Sequence, residues 1–180
     1  MNATRYTATA VVLHWLMALL IFAALPLGLY MADLKLSPTK LQLFSYHKWI
    51  GMTLLILALL RLAWRITHTP PALPDSLPRW QKASSQAVHH LLYLLLFAVP
   101  LSGWLMSSAK GFQTVLFGVL PIPDLIHKDK ELGQLLGAAH ENLNYLLLLL
   151  IAVHIAAVIK HRYIDHDEIL ARMSLKGIRK

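Results

Sequence analysis

Four long apolar stretches, near residues 8–31, 43–66, 84–109 and 138–160, limit the fold of this chain more than any other feature. Coiled as a helix rising about 1.5 Å per residue, each can cross the roughly 30 Å of hydrocarbon in a bilayer. Backbone amides in hydrocarbon must find partners within the chain, and a helix supplies them segment by segment. The fold class expected is an all-α membrane protein, a four-transmembrane-helix bundle, forming a single domain over residues 1–180. With 57% apolar and only 14% charged residues, a soluble globule is excluded.

Cations exceed anions, 17 Lys and Arg against 9 Asp and Glu, which in a membrane chain reads first as topology and not as a sign of nucleic acid. With the N-terminus inside, eleven cations fall on the inner side, among them Arg5, Arg61, Arg65, Arg79 and the tail residues Lys176, Arg179 and Lys180. Six fall outside: Lys35, Lys40, Lys48, Lys110, Lys128 and Lys130. That bias puts both termini in the cytoplasm. The first stretch carries only Arg5 ahead of it and is too long for a signal-peptide core, so it is read as a retained crossing. In the second, the uncharged core from Trp49 to Leu60 is only 12 residues, and full length requires Lys48 at one end and Arg61 with Arg65 at the other. Lys48 and Arg65 are expected to snorkel to the headgroups, while Arg61 sits deep enough to want a buried anionic partner. Residues 67–82 carry Pro70, Pro71, Pro74 and Pro78 and predict a stiff linker. The outer loop from Lys110 to Gly137 mixes apolar and charged residues and is expected to lie on the membrane surface. No internal repeat is seen beyond a Pro followed shortly by Gly in the first and third stretches.

Of ten histidines, four stand out within the spans, His14, His47, His140 and His154, while His89 and His90 lie near the inner edge of the third. His140 and His154 are 14 residues apart, which at about 100° per residue returns the second to within roughly 40° of the first, about 21 Å along the axis. Antiparallel neighbours then supply partners at matching depth. His14 lies near the inner end of the first span and matches His154; His47 lies near the outer end of the second and matches His140. Two bis-imidazole sites follow, one in each leaflet, an arrangement that holds two haem b groups without covalent attachment. The chain has no cysteine, which excludes thiolate ligation and covalent haem linkage. The same interval of 14 takes His14 to Gly28, His47 to Arg61 and His89 to Gly103. Gly28 and Gly103 would let a porphyrin approach the backbone at outer-haem depth, or serve helix packing alone. Arg61 could pair with a propionate at inner-haem depth. His68, His127 and His166 are read as solvated. His89, His90 and His161 cluster at the inner interface, where His89 and His161 are candidates for a propionate contact or a quinone proton path.

Taken in order, these residues resemble the prokaryotic cytochrome b561 family. The carriers are Leu13-His14-Trp15-Leu16, His47-Lys48-Trp49-Ile50-Gly51, Arg61-Leu62-Ala63-Trp64-Arg65 followed by Pro70-Pro71, His89 with Pro100 and Gly103, His140-Glu141, and His154 through His161 to Ile164-Asp165. The resemblance implies haem iron held by His14 with His154 and by His47 with His140, in a multi-pass protein of the bacterial inner membrane. It also implies electron exchange with ubiquinone or menaquinone, and in one branch oxidation of superoxide to oxygen. Outer cations are offset by Asp33, Asp124, Asp129, Glu131 and Glu141, so attraction of a small anion would depend on local clustering. Two other readings stay open: a haem-b anchor wiring a separate dehydrogenase or periplasmic redox protein to the quinone pool, and a haem-free, histidine-lined transporter. Membrane lipid is a partner in all three.

Overall fold

The computed structural model describes residues 5–74 and 77–174; the tail cations Lys176, Arg179 and Lys180 lie outside the described residues. Four helices follow one another: α1 (Ala8–Asp33), α2 (Pro38–Thr67), α3 (Arg79–Ala109) and α4 (Lys130–Tyr163). All four are long and apolar enough to cross a membrane. Their starts are set by local chemistry. The Thr7 hydroxyl accepts from the Ala10 amide, Ser37 from Lys40 with Pro38 in the first turn, and Asp129 from Leu132. Each cap satisfies one of the amides that a first helical turn leaves without a partner. Capping also explains why α2 and α4 begin earlier than their apolar stretches: Ser37-Pro38 and Asp129 start the helices in polar sequence.

Neighbouring helices pack through small apolar clusters. Met17 and Ala24 of α1 meet Leu54 and Ala58 of α2. Leu95 of α3 meets Leu147 and Leu150 of α4. Elsewhere the outward faces are strongly apolar and uncovered, as at Leu19, Phe22 and Leu94, where lipid is the natural solvent. Among the described residues α4 packs closely on α3 but not on α1 or α2.

The loop between α3 and α4, expected to lie on the membrane surface, carries secondary structure of its own. It folds as a two-stranded antiparallel hairpin, β1 (Thr114–Leu116) and β2 (Leu120–Ile122), with Thr114 opposite Ile122. Phe117 and Gly118 make the turn with φ of 53° and 73°, the left-handed region that glycine enters without strain. Helix side chains pin the hairpin down. The Trp49 indole donates to the Val115 carbonyl at 2.7 Å, Trp104 to Pro123 at 3.1 Å, and the Lys48 ammonium to Phe112 at 2.8 Å. Leu116 is buried with Met52 and Leu55. Lys48 therefore does not snorkel freely; it is held by loop carbonyls.

At the other end the chain closes on itself. A short 3-10 turn, Leu170–Met173, follows α4. The Trp15 indole donates to the Met173 carbonyl at 2.9 Å and Arg172 to Ala72 in the proline-rich linker at 2.8 Å. His161 at the foot of α4 meets the Asp167 carboxylate at 2.6 Å. Lys160 hydrogen-bonds Asp165 and holds that carboxyl below the usual carboxylate range. Because the shift is downward, this pairing persists at neutral pH and is lost only as pH falls through the lowered value.

The two indole bonds to the hairpin are each worth about 1 kcal/mol. Trp49→Phe combined with Trp104→Phe should free residues 111–125, so that limited proteolysis in detergent cuts there several-fold faster than in the wild type. Unchanged cleavage would show that apolar packing of Leu116 alone holds the hairpin.

Candidate haem-binding histidine sites

The four intramembrane histidines project from three helices and meet in two pairs. His14 of α1 faces His154 of α4 with ring centroids 6.3 Å apart and planes at 71°. His47 of α2 faces His140 of α4, also at 6.3 Å, with planes at 90°. The first pair lies toward the end that carries the termini, the second toward the hairpin. All four side chains are half-buried. α4 contributes one histidine to each pair, yet it does not pack closely on the two helices that carry the partners. Each imidazole pair thus spans a gap between helices.

Metal–imidazole bonds of about 2.0–2.1 Å, with both rings in line on one ion, set ring centroids about 6.4 Å apart. Both pairs have that separation, which is too long for an imidazole–imidazole hydrogen bond.

At the hairpin-end pair the ring of His140 is fixed from α3. Its Nδ1 lies 3.0 Å from the Val99 carbonyl and 3.0 Å from Ser102 Oγ, while the Ser102 hydroxyl itself donates to Val99 at 2.8 Å. A lone pair on Nδ1 would face a carbonyl oxygen at repulsive distance, so Nδ1 carries the proton and donates. The free lone pair then belongs to Nε2, and the hydrogen bond raises its basicity. Across the gap, His47 Nδ1 is buried and makes no well-formed hydrogen bond, with the Ala24 backbone as its nearest polar neighbour. Such a donor set fits a bound metal centre.

Gly28 and Gly103 are at this depth, but what they make room for is the rings themselves. A Cβ at Gly28 would lie 3.0 Å from His47 Cε1, and one at Gly103 would lie 3.0 Å from His140 Cε1. Ser102, next to Gly103, was not singled out by the sequence reading; its signal is a lone hydroxyl inside an apolar span, where polar groups need partners.

At the other pair the arrangement is richer in cations. His89 of α3 joins the pair, its ring centroid 5.4 Å from that of His154. Arg61 donates from Nη1 to the Ala10 carbonyl at 2.7 Å and lies over the Tyr93 ring at 5.9 Å, leaving other guanidinium N–H groups for an anion. His161 is not brought to this cluster; it is taken up by Asp165 and Asp167. His68 is exposed as expected, but it stacks on Trp64 at 3.8 Å.

Comparison with known proteins is consistent with this layout. The family model described as prokaryotic cytochrome b561 matches residues 5–175. Cytochrome b561 homolog 2 of Escherichia coli K12 is 32% identical over 170 residues, covering 94% of this chain and 90% of its own. Cytochrome b561 homolog 1 of the same organism is 29% identical over 174 residues, covering 94% and 96%. The probable superoxide oxidase CybB of Yersinia pestis is 26% identical over 183 residues, covering 96% and 97%.

A branched side chain at either glycine must displace an imidazole. Gly28→Val and Gly103→Val should each cost about 1–3 kcal/mol, the usual range for overpacking, and lower the thermal midpoint in detergent by several degrees. Ser102→Ala should cost less, since His140 keeps its bond to Val99. Equal midpoints for all three would mean that the rings step aside freely.

Proposed function

Because the chain belongs to the prokaryotic cytochrome b561 family, we propose that it holds two b-type haems and passes electrons between a donor at one membrane face and a quinone. Membrane electron transfer, b-type haem binding and a multi-pass place in the bacterial inner membrane come with the family and the four apolar helices. The finer reading rests on one observation: two imidazole pairs at two depths, each with centroids 6.3 Å apart, each joining α4 to a helix on which it does not otherwise pack closely. His14 with His154 would hold the inner haem, and His47 with His140 the outer one. Bound in this way, haem supplies reversible one-electron chemistry at an iron with no open coordination position.

The chain's own residues prepare those sites. Val99 and Ser102 keep His140 in the tautomer that leaves Nε2 as the donor. Gly28 and Gly103 leave the outer rings room to meet across the gap. Arg61 and His89, beside the inner pair, are placed to receive cofactor carboxylates by charge-assisted hydrogen bonds. The cation excess on the side of the termini supports a cytoplasmic position for both termini, with the hairpin facing outward.

The concrete reaction we assign is oxidation of superoxide to oxygen with reduction of ubiquinone. Two superoxide anions give up one electron each, and the quinone takes two electrons and two protons. Lys48 supports this donor: it follows His47 directly, and its ammonium is held by the Phe112 carbonyl at the hairpin end of the bundle, with Asp124 nearby. The name of the Yersinia pestis relative points the same way.

A pyridine haemochrome assay should give two haems per chain in the wild type and one in His14→Ala, His154→Ala, His47→Ala and His140→Ala. The combination His14→Ala with His154→Ala should still hold one, whereas His14→Ala with His47→Ala should hold none. The opposite pattern refutes the pairing. Stopped-flow mixing of superoxide with the oxidised protein should reduce it faster than spontaneous dismutation consumes the anion. If it does not, and a soluble subunit co-purifies in equal amount, the chain is the anchor of a larger electron-transfer assembly.

A further inference from the structure

Where α1 begins and α2 ends, at the end of the bundle that carries the termini, a cleft of about 50 Å³ opens between α1, α2, α3 and the linker. One water needs about 10–15 Å³ by the same measure, so the room suits a group the size of a phosphate. Its lining is unusual in charge. Arg5, Arg61 and Arg65 all face it, and no carboxylate does.

Local structure concentrates that charge further. Arg61 and Arg65 lie over the same phenol ring, Tyr93, at 5.9 and 5.3 Å, which brings two guanidinium groups together. Arg61 has one N–H committed to the Ala10 carbonyl; Arg5 and Arg65 have neither a hydrogen bond nor an ion pair among the described residues. The first turn of α1 also opens here, with Thr7 and Ala10 on the wall, adding the positive end of a helix dipole. Thr7 is held in place by the Trp64 indole, which donates to its hydroxyl at 2.8 Å. With Arg61 placed for the cofactor's carboxylates and Arg5 also bordering Glu168, Arg65, Arg5 and the start of α1 still turn positive potential into this cleft, which favours an entering anion.

We propose that this cleft binds the phosphodiester of an anionic phospholipid, with Arg5 and Arg65 as the headgroup ligands. The depth is that of the membrane interface: the cleft sits where the apolar spans α1 and α2 terminate, among the aromatic residues Tyr6, Trp64 and Tyr93. Arg65 lies one helical turn beyond Arg61, on the side away from His14 and toward the headgroups. Basic pockets of this kind between membrane helices select lipids by headgroup charge. The site goes beyond the electron-transfer reading, with Arg61 common to both.

The protein purified in mild detergent should retain about one phospholipid per chain by native mass spectrometry, enriched in phosphatidylglycerol or cardiolipin over phosphatidylethanolamine. Arg5→Ala with Arg65→Ala should lower that retention at least fivefold while haem per chain and the visible spectrum stay as in the wild type. For wild-type protein stripped of lipid, short-chain phosphatidylglycerol should raise the thermal midpoint, and phosphatidylcholine at the same concentration should not. Retention unchanged in the double variant, or equal stabilisation by the two lipids, overturns the proposal. Loss of haem with lipid kept would assign the cleft to the cofactor's carboxylates instead. A shift reproduced by inorganic phosphate alone would assign it to a free anion.

Discussion

Inside hydrocarbon a polar atom has no water to fall back on, and the rest of this molecule follows from that. Backbone amides are satisfied by coiling, which makes four helices of the four apolar stretches. Side chains that remain polar must then find each other across the bundle, and the partners they find are few and specific. His140 is tied to Val99 and Ser102, Arg61 to Ala10, and the two imidazole pairs face one another over gaps that the helices leave open. Apolar packing alone would have closed those gaps. A residue with both a lone pair and an N–H is a poor choice for a closed apolar seam and a good one for a seam that receives a metal centre.

The ends of the bundle solve a different problem with the same means. Chain that leaves the hydrocarbon still has to cover the helix termini, and here indoles and long cations reach out to hold it. Trp49, Trp104 and Lys48 grip the hairpin by its carbonyls. Trp15 and Arg172 do the same for the segment after α4 and the linker. Indole nitrogen and ammonium suit this role, because each has a large apolar body that stays with the lipid and a donor that reaches past it.

Much of this was legible in the sequence, and the reasons are physical. Helical periodicity is regular enough that a spacing of 14 residues fixes both face and depth, so the pairing of His14 with His154 and of His47 with His140 could be read before any coordinates. Span edges were read less well. The stretch beginning near 43 is a helix from Pro38, and the one near 138 starts at Lys130, because caps at Ser37 and Asp129 act through single hydrogen bonds that hydropathy does not register. The hairpin was missed because its strands are only three residues long and its stability comes from donors on α2 and α3 far away in sequence. Val99 illustrates the limit. Its contribution to the site is a main-chain carbonyl, and the identity of its side chain carries no sign of it.

One consequence concerns α4. It alone supplies a histidine to both pairs, and among the described residues it is braced by α3 and does not pack closely on α1 or α2. Any piston-like slide or roll of this single rod would carry both of its imidazoles together, so the two imidazole pairs share one mechanical coordinate. A push on the foot of α4, where Lys160 and His161 meet Asp165 and Asp167, would reach both imidazole pairs through the one helix.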